Sequence, residues 1–201
     1  ILANHEGKGY VIAPAGFGKT HLIADAVLQS RGRQLILTHT HAGVDAIKKK
    51  LEKLNVPSDK YNVDTIAGFS LRLCLAYPQT ADWNVEIPNS NDEWQELCVK
   101  CTALVQKDFI KKIIKASFKG VYVDEYQDCM QGQHTMLLAF AESLPLRILG
   151  DPLQAIFDEI GGQNAVDWDI QLVPHFELLG ELDTPHRWIH DGDEGLGKWL
   201  R

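Results

Sequence analysis

The stretch Ala13-Pro14-Ala15-Gly16-Phe17-Gly18-Lys19-Thr20 decides the fold of this chain. It matches the pattern A/G-x-x-x-x-G-K-S/T and lies between a short apolar run and a run with helical periodicity. Its glycines let successive backbone N–H groups point inward, and the helix that follows adds its positive N-terminus. Lys19 supplies charge to the β- and γ-phosphates, and the Thr20 hydroxyl can ligate Mg²⁺. Residues 14–20 therefore predict a loop that binds a nucleoside triphosphate and Mg²⁺, called the P-loop below; a tight turn with a chance lysine is the alternative.

Length and composition indicate one globular unit. The chain has 201 residues, of which 45% are hydrophobic and 23% charged, enough for one sizeable core. The formal net charge of −7 argues against a protein that coats nucleic acid generally, but it does not exclude a local basic groove. No apolar run approaches the roughly 20 residues of a membrane helix, and four scattered cysteines suit a reducing compartment. We therefore expect a soluble, cytoplasmic protein without a membrane partner.

Short apolar runs alternate with helical patterns along the chain, which is typical of a parallel sheet covered by helices on both faces. The predicted strands are 10–13, 34–38, 61–65, 120–123, 146–149 and 176–179, and the clearest predicted helices are 19–29 and 42–54. From about residue 77 to residue 119 the strand rhythm stops, and Ser90 to Glu93 has the form of a capping box that begins a helix. We predict an α/β fold with a small helical insertion over residues 77–119.

Two carboxylates and a glutamine follow two later apolar runs. Asp124 and Glu125 come directly after the apolar run 121–123, and Gln154 follows the run that ends at Gly150. In an open parallel sheet the ligand binds at the carboxyl ends of the strands. Asp124 would there hold the metal, and Glu125 would be the general base that activates water. Gln154 would sense the γ-phosphate; for the two carboxylates, a solvated strand end is the alternative.

Six segments together resemble the first RecA-like domain of a UvrD/Rep-type superfamily 1 helicase. They are APAGFGKT (13–20), LTHTHAGVDAIKKKL (37–51), VDTIAGFSLRL (63–73), VDEYQDCMQGQ (123–133), ILGDPLQAIF (148–157) and LDTPHRW (182–188). The Asp-Glu-Tyr-Gln-Asp run, with Gln133 five residues after its last aspartate, is the most specific of them. The resemblance implies a P-loop NTPase with a RecA-like sheet, which hydrolyses ATP and moves along single-stranded DNA.

The resemblance also implies roles for residues outside the P-loop. Arg187 falls where the family carries an arginine that reaches the γ-phosphate, and His186 replaces the tyrosine that stacks on adenine. Single-stranded DNA contacts are implied for Thr38, Thr40, His41, Thr65 and Phe69. Residues 1–182 would form the RecA-like domain, and residues 183–201 would begin a segment leading to a second one. Alone, the chain would hydrolyse ATP slowly, because an arginine finger from a second domain contributes roughly a thousandfold or more.

Several positions depart from the family pattern and keep other functions open. Glu159 stands where a tryptophan commonly stacks on a DNA base, and the insertion is shorter than the subdomain of these helicases. An ATP-driven switch coupled to a protein partner, without helicase activity, is therefore the main alternative. A non-hydrolysing binding module is weaker, since Lys19, Thr20 and both carboxylates are present. Cys98 and Cys101 have the spacing of zinc ligands, but they share one helical face with apolar neighbours, so we expect buried thiols.

Overall fold

The computed structural model of the chain describes residues 1–154, 159–160, 163–186, 189 and 195. The strands in this part are β1 (Lys8–Ile12), β2 (Gln34–Thr38), β3 (Tyr61–Thr65), β4 (Gly120–Val123), β5 (Leu146–Gly150), β6 (Glu159–Ile160), β7 (Gln163–Asn164) and β8 (Glu177–Glu181). Six of them form one sheet in the order β3-β2-β4-β5-β1-β8, and every neighbouring pair in it is parallel. β6 and β7 pair as a short antiparallel hairpin. The predicted α/β class with a parallel sheet is confirmed.

Helices cover both faces of this sheet, as the alternating pattern predicted. They are α1 (Lys19–Gln29), α2 (His41–Lys53), α3 (Ile66–Ala76), α4 (Pro78–Ala81), α5 (Asn91–Val105), α6 (Asp108–Ser117) and α7 (Gln131–Ala141). Apolar side chains of α1 and α2 pack on one face, and those of α3, α5, α6 and α7 pack on the other. The result is a three-layer arrangement with a hydrophobic core on each side of the sheet.

The central strands contribute side chains to both cores. In β2, Leu35 and Leu37 belong to the core beneath α3 and α5, whereas Ile36 belongs to the core beneath α1 and α2. All three side chains are fully buried. Since successive side chains of a strand point to opposite faces, the middle of a strand covered on both faces is apolar at consecutive positions, as in Leu35, Ile36 and Leu37. This requirement explains why β2 stands out in the sequence as an unbroken apolar run.

The ends of three strands, β1, β5 and β8, differ from the predicted ranges by one or two residues. β1 begins at Lys8, two residues before its predicted start, because its backbone pairs with β5 from Lys8 opposite Leu146 onward. The Lys8 side chain is exposed, so an apolar pattern does not detect its place in the strand. β8 covers residues 177–181 instead of 176–179, and its side chains are exposed or half-buried at the edge of the sheet. Backbone pairing, not side-chain burial, sets these ends.

The segment between residues 77 and 119 contains α4, α5 and α6 and packs into the main body of the protein. Leu97 and Leu104 of α5 and Ile114 of α6 lie in the same core as the sheet residues Val121 and Val123. The Ser90 hydroxyl accepts a hydrogen bond from the backbone N–H of Glu93 at 3.2 Å, as the capping pattern predicted. In the part of the chain that is described, no helix is both long and apolar enough to cross a lipid bilayer.

Candidate functional site

The sheet order brings the P-loop and the two carboxylates to one edge. The P-loop connects β1 to α1, the carboxylates follow β4, and β5 lies between these two strands. Because all three strands are parallel, their carboxyl ends meet at the same edge. Gly16 and Gly18 have φ angles of 84° and 93°, in the left-handed region that favours glycine. The backbone of the loop therefore needs both glycines to turn toward the carboxylates.

Lys19 contacts Glu125 directly across this edge. Its Nζ donates a hydrogen bond to Oε2 of Glu125 at 2.6 Å, although 106 positions separate the two residues. The Lys19 side chain is 7% exposed, and the Glu125 side chain is 40% exposed. Glu125 itself adopts a left-handed φ of 54°, which lifts its side chain out of the strand direction. The lysine of the P-loop and the predicted general base thus belong to one site.

Asp124 is buried beside this pair. Its residue exposure is 4%, and its Oδ1 accepts a hydrogen bond from the backbone N–H of Glu125 at 3.0 Å. Burial and then the Glu125 carboxylate raise the pKa of Asp124 to about 7, against the opposing effects of Lys19 and the backbone N–H. A divalent cation favours the charged form of such a carboxyl group. Carboxylate and hydroxyl oxygens are ligands that Mg²⁺ accepts, so Asp124 and Thr20 fit the predicted metal role.

Gln127 extends the site to the end of β5. Its Nε2 donates to Oε2 of Glu125 at 2.8 Å, and its Oε1 accepts the backbone N–H of Asp151 at 3.1 Å. Asp151 Oδ2 in turn accepts Nε2 of Gln154 at 2.6 Å. A continuous hydrogen-bond chain therefore runs from Lys19 to Gln154, the predicted γ-phosphate sensor. Sequence reasoning assigned Gln127 no role, although it lies in the motif that carried the resemblance.

Replacing Gln127 with alanine is expected to lower the free energy of unfolding by about 2 kcal/mol, because the buried N–H of Asp151 loses its acceptor. Urea denaturation measures this change. The control is Gln29→Ala, because Gln29 is exposed and bonds only Asp25 within α1, at 2.7 Å. We expect that variant to stay within about 0.5 kcal/mol of the wild type. Equal losses in the two variants would contradict the role given to Gln127.

A cleft of about 380 Å³ opens at the P-loop. Its lining includes Ala15, Gly16, Gly18, Lys19, Thr20, His21, Lys50 and Glu125. Pro14 and Phe17 of the predicted binding loop are buried and do not line it. Lys50 lines the cleft although the sequence did not predict it, because its position within a lysine-rich stretch of α2 indicated only a solvated helix face. His186 also lies here, since a Cβ added to Gly18 would come within 3.3 Å of its ring.

The predicted DNA-contact residues lie around the ends of β2 and β3. Thr40 and Thr65 are helix N-caps, and their hydroxyls accept the backbone N–H of Gly43 at 3.0 Å and of Gly68 at 2.9 Å. Phe69 is half-buried, and its ring centroid lies 5.8 Å from that of Phe140 and 6.3 Å from that of Phe118. Thr38 is buried and His41 is exposed. Their contacts with single-stranded DNA stay predictions.

His39 lies between these residues and the carboxylates. Its Nε2 is 3.4 Å from the Sγ of Cys129. Burial lowers the pKa of His39 to about 4, although Glu125 opposes this shift. The imidazole is therefore neutral at neutral pH and contributes no positive charge toward a phosphate backbone.

The cysteine pair has the predicted buried character. Cys101 is fully buried, Cys98 is half-buried, and burial raises the pKa of Cys98 to about 11. Within the described residues, no three His, Cys, Asp or Glu side chains converge as a metal-binding group. Arg187, the predicted γ-phosphate arginine, lies outside the described residues, and nothing is described of the Glu159 side chain.

Part of this site lies in a segment that matches a known family model. Residues 87–165 match the family model of the UvrD/REP helicase N-terminal domain. No curated protein sequence matches the chain. The matched residues include Asp124, Glu125, Gln127 and Gln154. Every residue of the hydrogen-bond chain described above, except Lys19, therefore lies within the matched segment.

Solved structures of helicases also match the chain. A complex of Arterivirus nonstructural protein 10 (helicase) with DNA has a TM-score of 0.50 at 18% identity, covering 89% of this chain and 36% of that one. The PRRSV helicase has a TM-score of 0.43 at 19% identity, with coverages of 87% and 30%. The chain thus spans about a third of the length of these helicases. The family match and the shared fold confirm the predicted resemblance of this chain to the N-terminal domain of UvrD/Rep-type superfamily 1 helicases.

Proposed function

We propose that the chain is the ATP-binding and ATP-hydrolysing domain of a UvrD-like helicase or translocase that acts on single-stranded DNA. The observation that carries the proposal is the 2.6 Å contact between Lys19 of the P-loop and Glu125, beside the buried Asp124. Helicases of the matched family use ATP and Mg²⁺. Residues 1–182 form the RecA-like domain in this proposal, and residues 183–201, with Arg187, begin the segment that leads to a second one.

Each side chain at the cleft has a distinct part in the proposed reaction. The backbone N–H groups of the P-loop and Lys19 bind the phosphates, and Thr20 and Asp124 hold Mg²⁺. A Mg²⁺ ion held there would neutralise charge that develops on the phosphate oxygens. Glu125 orients a water molecule and accepts its proton as the water attacks the γ-phosphorus and the bond to the leaving ADP oxygen breaks. Gln154 reports the loss of phosphate through Asp151 and Gln127, and His186 lies beside the base.

ATP affinity tests the nucleotide half of the proposal. Lys19→Ala is expected to weaken Mg·ATP binding at least about tenfold, because a charged hydrogen-bond donor to phosphate is lost. Lys50→Ala is expected to weaken it about fivefold, because a cation that lines the cleft is removed. Lys49→Ala is the matched control, since Lys49 is exposed on the same helix and does not line the cleft. Isothermal titration measures all three; unchanged affinity in Lys19→Ala would overturn the assignment.

Stimulation of ATP turnover by single-stranded DNA tests the motor half. One structure similar in fold is a helicase in complex with DNA, which supports this arm of the proposal. The opposing observation is Phe69, whose ring packs against Phe118 and Phe140 and so has limited surface for stacking on a base. That packing favours the second candidate, an ATP-driven switch that signals to a protein partner. An ATP turnover rate that increases when oligonucleotide is added, with an increase that disappears at high salt, supports the motor. A turnover rate that DNA does not change supports the switch.

A further inference from the structure

A second cleft lies at the opposite edge of the sheet from the P-loop. It has a volume of about 570 Å³ and is lined by residues that include Glu6, Arg31, Gln34, Lys119 and Arg147. Lys119 directly precedes β4, Gln34 begins β2, and Arg147 is the second residue of β5. These positions are the amino ends of parallel strands, whereas the P-loop follows a carboxyl end. We call this space the basal cleft; it is separate from the proposed ATP site.

Arg147 is the central residue of the basal cleft. It is only 4% exposed, and its guanidinium lies over the Tyr122 ring, 5.0 Å from the ring centroid. Nη2 donates to the backbone carbonyl of His5 and, at 3.4 Å, to that of Ala3. Nε and Nη1 are buried and have no hydrogen-bond partner among the described residues. Burial lowers the pKa of Arg147, but an arginine stays charged at any pH at which proteins fold.

Gln34 presents an acceptor at the same place. Its Nε2 donates to the carbonyls of Arg31 at 2.9 Å and Gly32 at 3.3 Å, and this fixes the direction of its amide. Its Oε1 is buried without a partner among the described residues. A Cβ at Gly120 would collide with both Arg147 Nη1 and Gln34 Oε1. These two atoms therefore lie together in the space that a side chain at position 120 would occupy. The Nη1 donor of Arg147 and the Oε1 acceptor of Gln34 are therefore left to be satisfied at one place.

The charges around this point favour an anion. Arg31 and Lys119 are exposed cations that line the cleft with Arg147, and Glu6 is the opposing carboxylate. Leaving a buried guanidinium with unpaired N–H groups is unfavourable, and an oxyanion accepts a strong, charge-assisted hydrogen bond from Nη1. The acceptor of Gln34 needs an O–H donor, which a fully deprotonated oxyanion such as sulfate lacks. Hydrogen phosphate supplies both, and so does a phosphorylated small molecule with a hydroxyl group.

We propose that the basal cleft is a binding site for a phosphate group, held by Nη1 of Arg147, with Lys119 as the second cation and Gln34 accepting a hydrogen bond from the ligand's hydroxyl. This site does not depend on the proposed ATPase activity. It gives the domain a second place to sense a small phosphorylated molecule or free phosphate, on the face away from the reaction.

The test follows the Nε–H resonance of Arg147 by NMR while inorganic phosphate is added to the ADP-bound protein. Bound ADP occupies the P-loop, and Arg147→Lys identifies the resonance by its loss. We expect a saturable shift with phosphate and a smaller one with sulfate. No shift at tens of millimolar phosphate would overturn the proposal, because an internal water then satisfies the arginine. An equal shift with sulfate would overturn the role of Gln34.

Variants of two exposed lysines distinguish specific phosphate binding from a general effect of positive charge. Lys119→Gln is expected to weaken phosphate binding about tenfold, whereas Lys112→Gln, on the exposed face of α6, leaves it unchanged. Both variants change exposed side chains, so folding is not at risk. Equal losses in both would overturn the site. Tighter binding of ribose 5-phosphate than of inorganic phosphate identifies a phosphorylated molecule as the ligand, and the reverse order identifies free phosphate; either order supports the site.

Discussion

Glu125→Gln is expected to lower the rate of ATP hydrolysis by about a thousandfold while Mg·ATP still binds. Glutamine has nearly the same shape as glutamate, and its amide oxygen accepts a hydrogen bond from Lys19 as Oε2 of Glu125 does at 2.6 Å. It has no basic oxygen for the proton of the attacking water, so only the chemical step is impaired. The expected signature is therefore loss of turnover with retained nucleotide affinity.

Single-turnover hydrolysis with protein in excess over ATP measures this effect, because it detects even a slow reaction. Glu52→Gln removes the same charge from an exposed position on α2 and is the matched control, expected to react at the wild-type rate. Phosphate release at equal rates in wild type and Glu125→Gln would refute the general-base role. Loss of ATP binding in Glu125→Gln would instead show that Glu125 serves to position Lys19.

Phe140→Ala is expected to cause the largest loss of stability, about 3–5 kcal/mol. Phe140 of α7 is fully buried in the core that joins the sheet to α3 and α5, and its ring packs 5.8 Å from that of Phe69. Truncation leaves a cavity that rigid neighbours on several elements cannot fill. For a chain of this length, the thermal midpoint should fall by roughly 10 °C.

The same substitution at Phe109 provides the comparison. Phe109 is 45% exposed and contacts Tyr77 edge to face, with 5.9 Å between the ring centroids. Its loss removes less buried surface, and we expect about 1 kcal/mol of destabilisation. Chemical denaturation of both variants under identical conditions gives the difference. Equal costs of the two substitutions would contradict the placement of Phe140 in the buried core.

The pattern of the sequence was sufficient where structure is local. The bounds of β2, β3, β4 and α1 agree with the predicted ranges 34–38, 61–65, 120–123 and 19–29. β2 and β4 contain unbroken apolar runs, β3 alternates apolar and polar residues, and α1 has its apolar positions at helical spacing. The P-loop was equally readable, because its glycines and its lysine act within eight consecutive positions. The parallel α/β class followed from the alternation of these elements.

The hydrogen-bond and charge relations of the site needed the tertiary structure. The sequence places Lys19 and Glu125 106 positions apart. In the sheet, β1 and β4 are parallel and only β5 lies between them, so Nζ of Lys19 and Oε2 of Glu125 come within 2.6 Å. Lys50 looked like one lysine among several, since its place at the cleft depends on how α2 packs beside α1. Gln127 needed the end of β5 beside it before its amide could join the two strands.

By itself, then, the sequence determined the elements, the nucleotide loop and the resemblance to a helicase domain, because periodicity, turn chemistry and short motifs act between near neighbours. Tertiary structure alone decided which strand ends meet, which of the lysines line a cleft, how far burial moves the pKa of Asp124, and that Arg147 lies buried with unpaired donors. The physical reason is that desolvation and side-chain contact depend on packing between layers, and residues distant in the chain supply that packing.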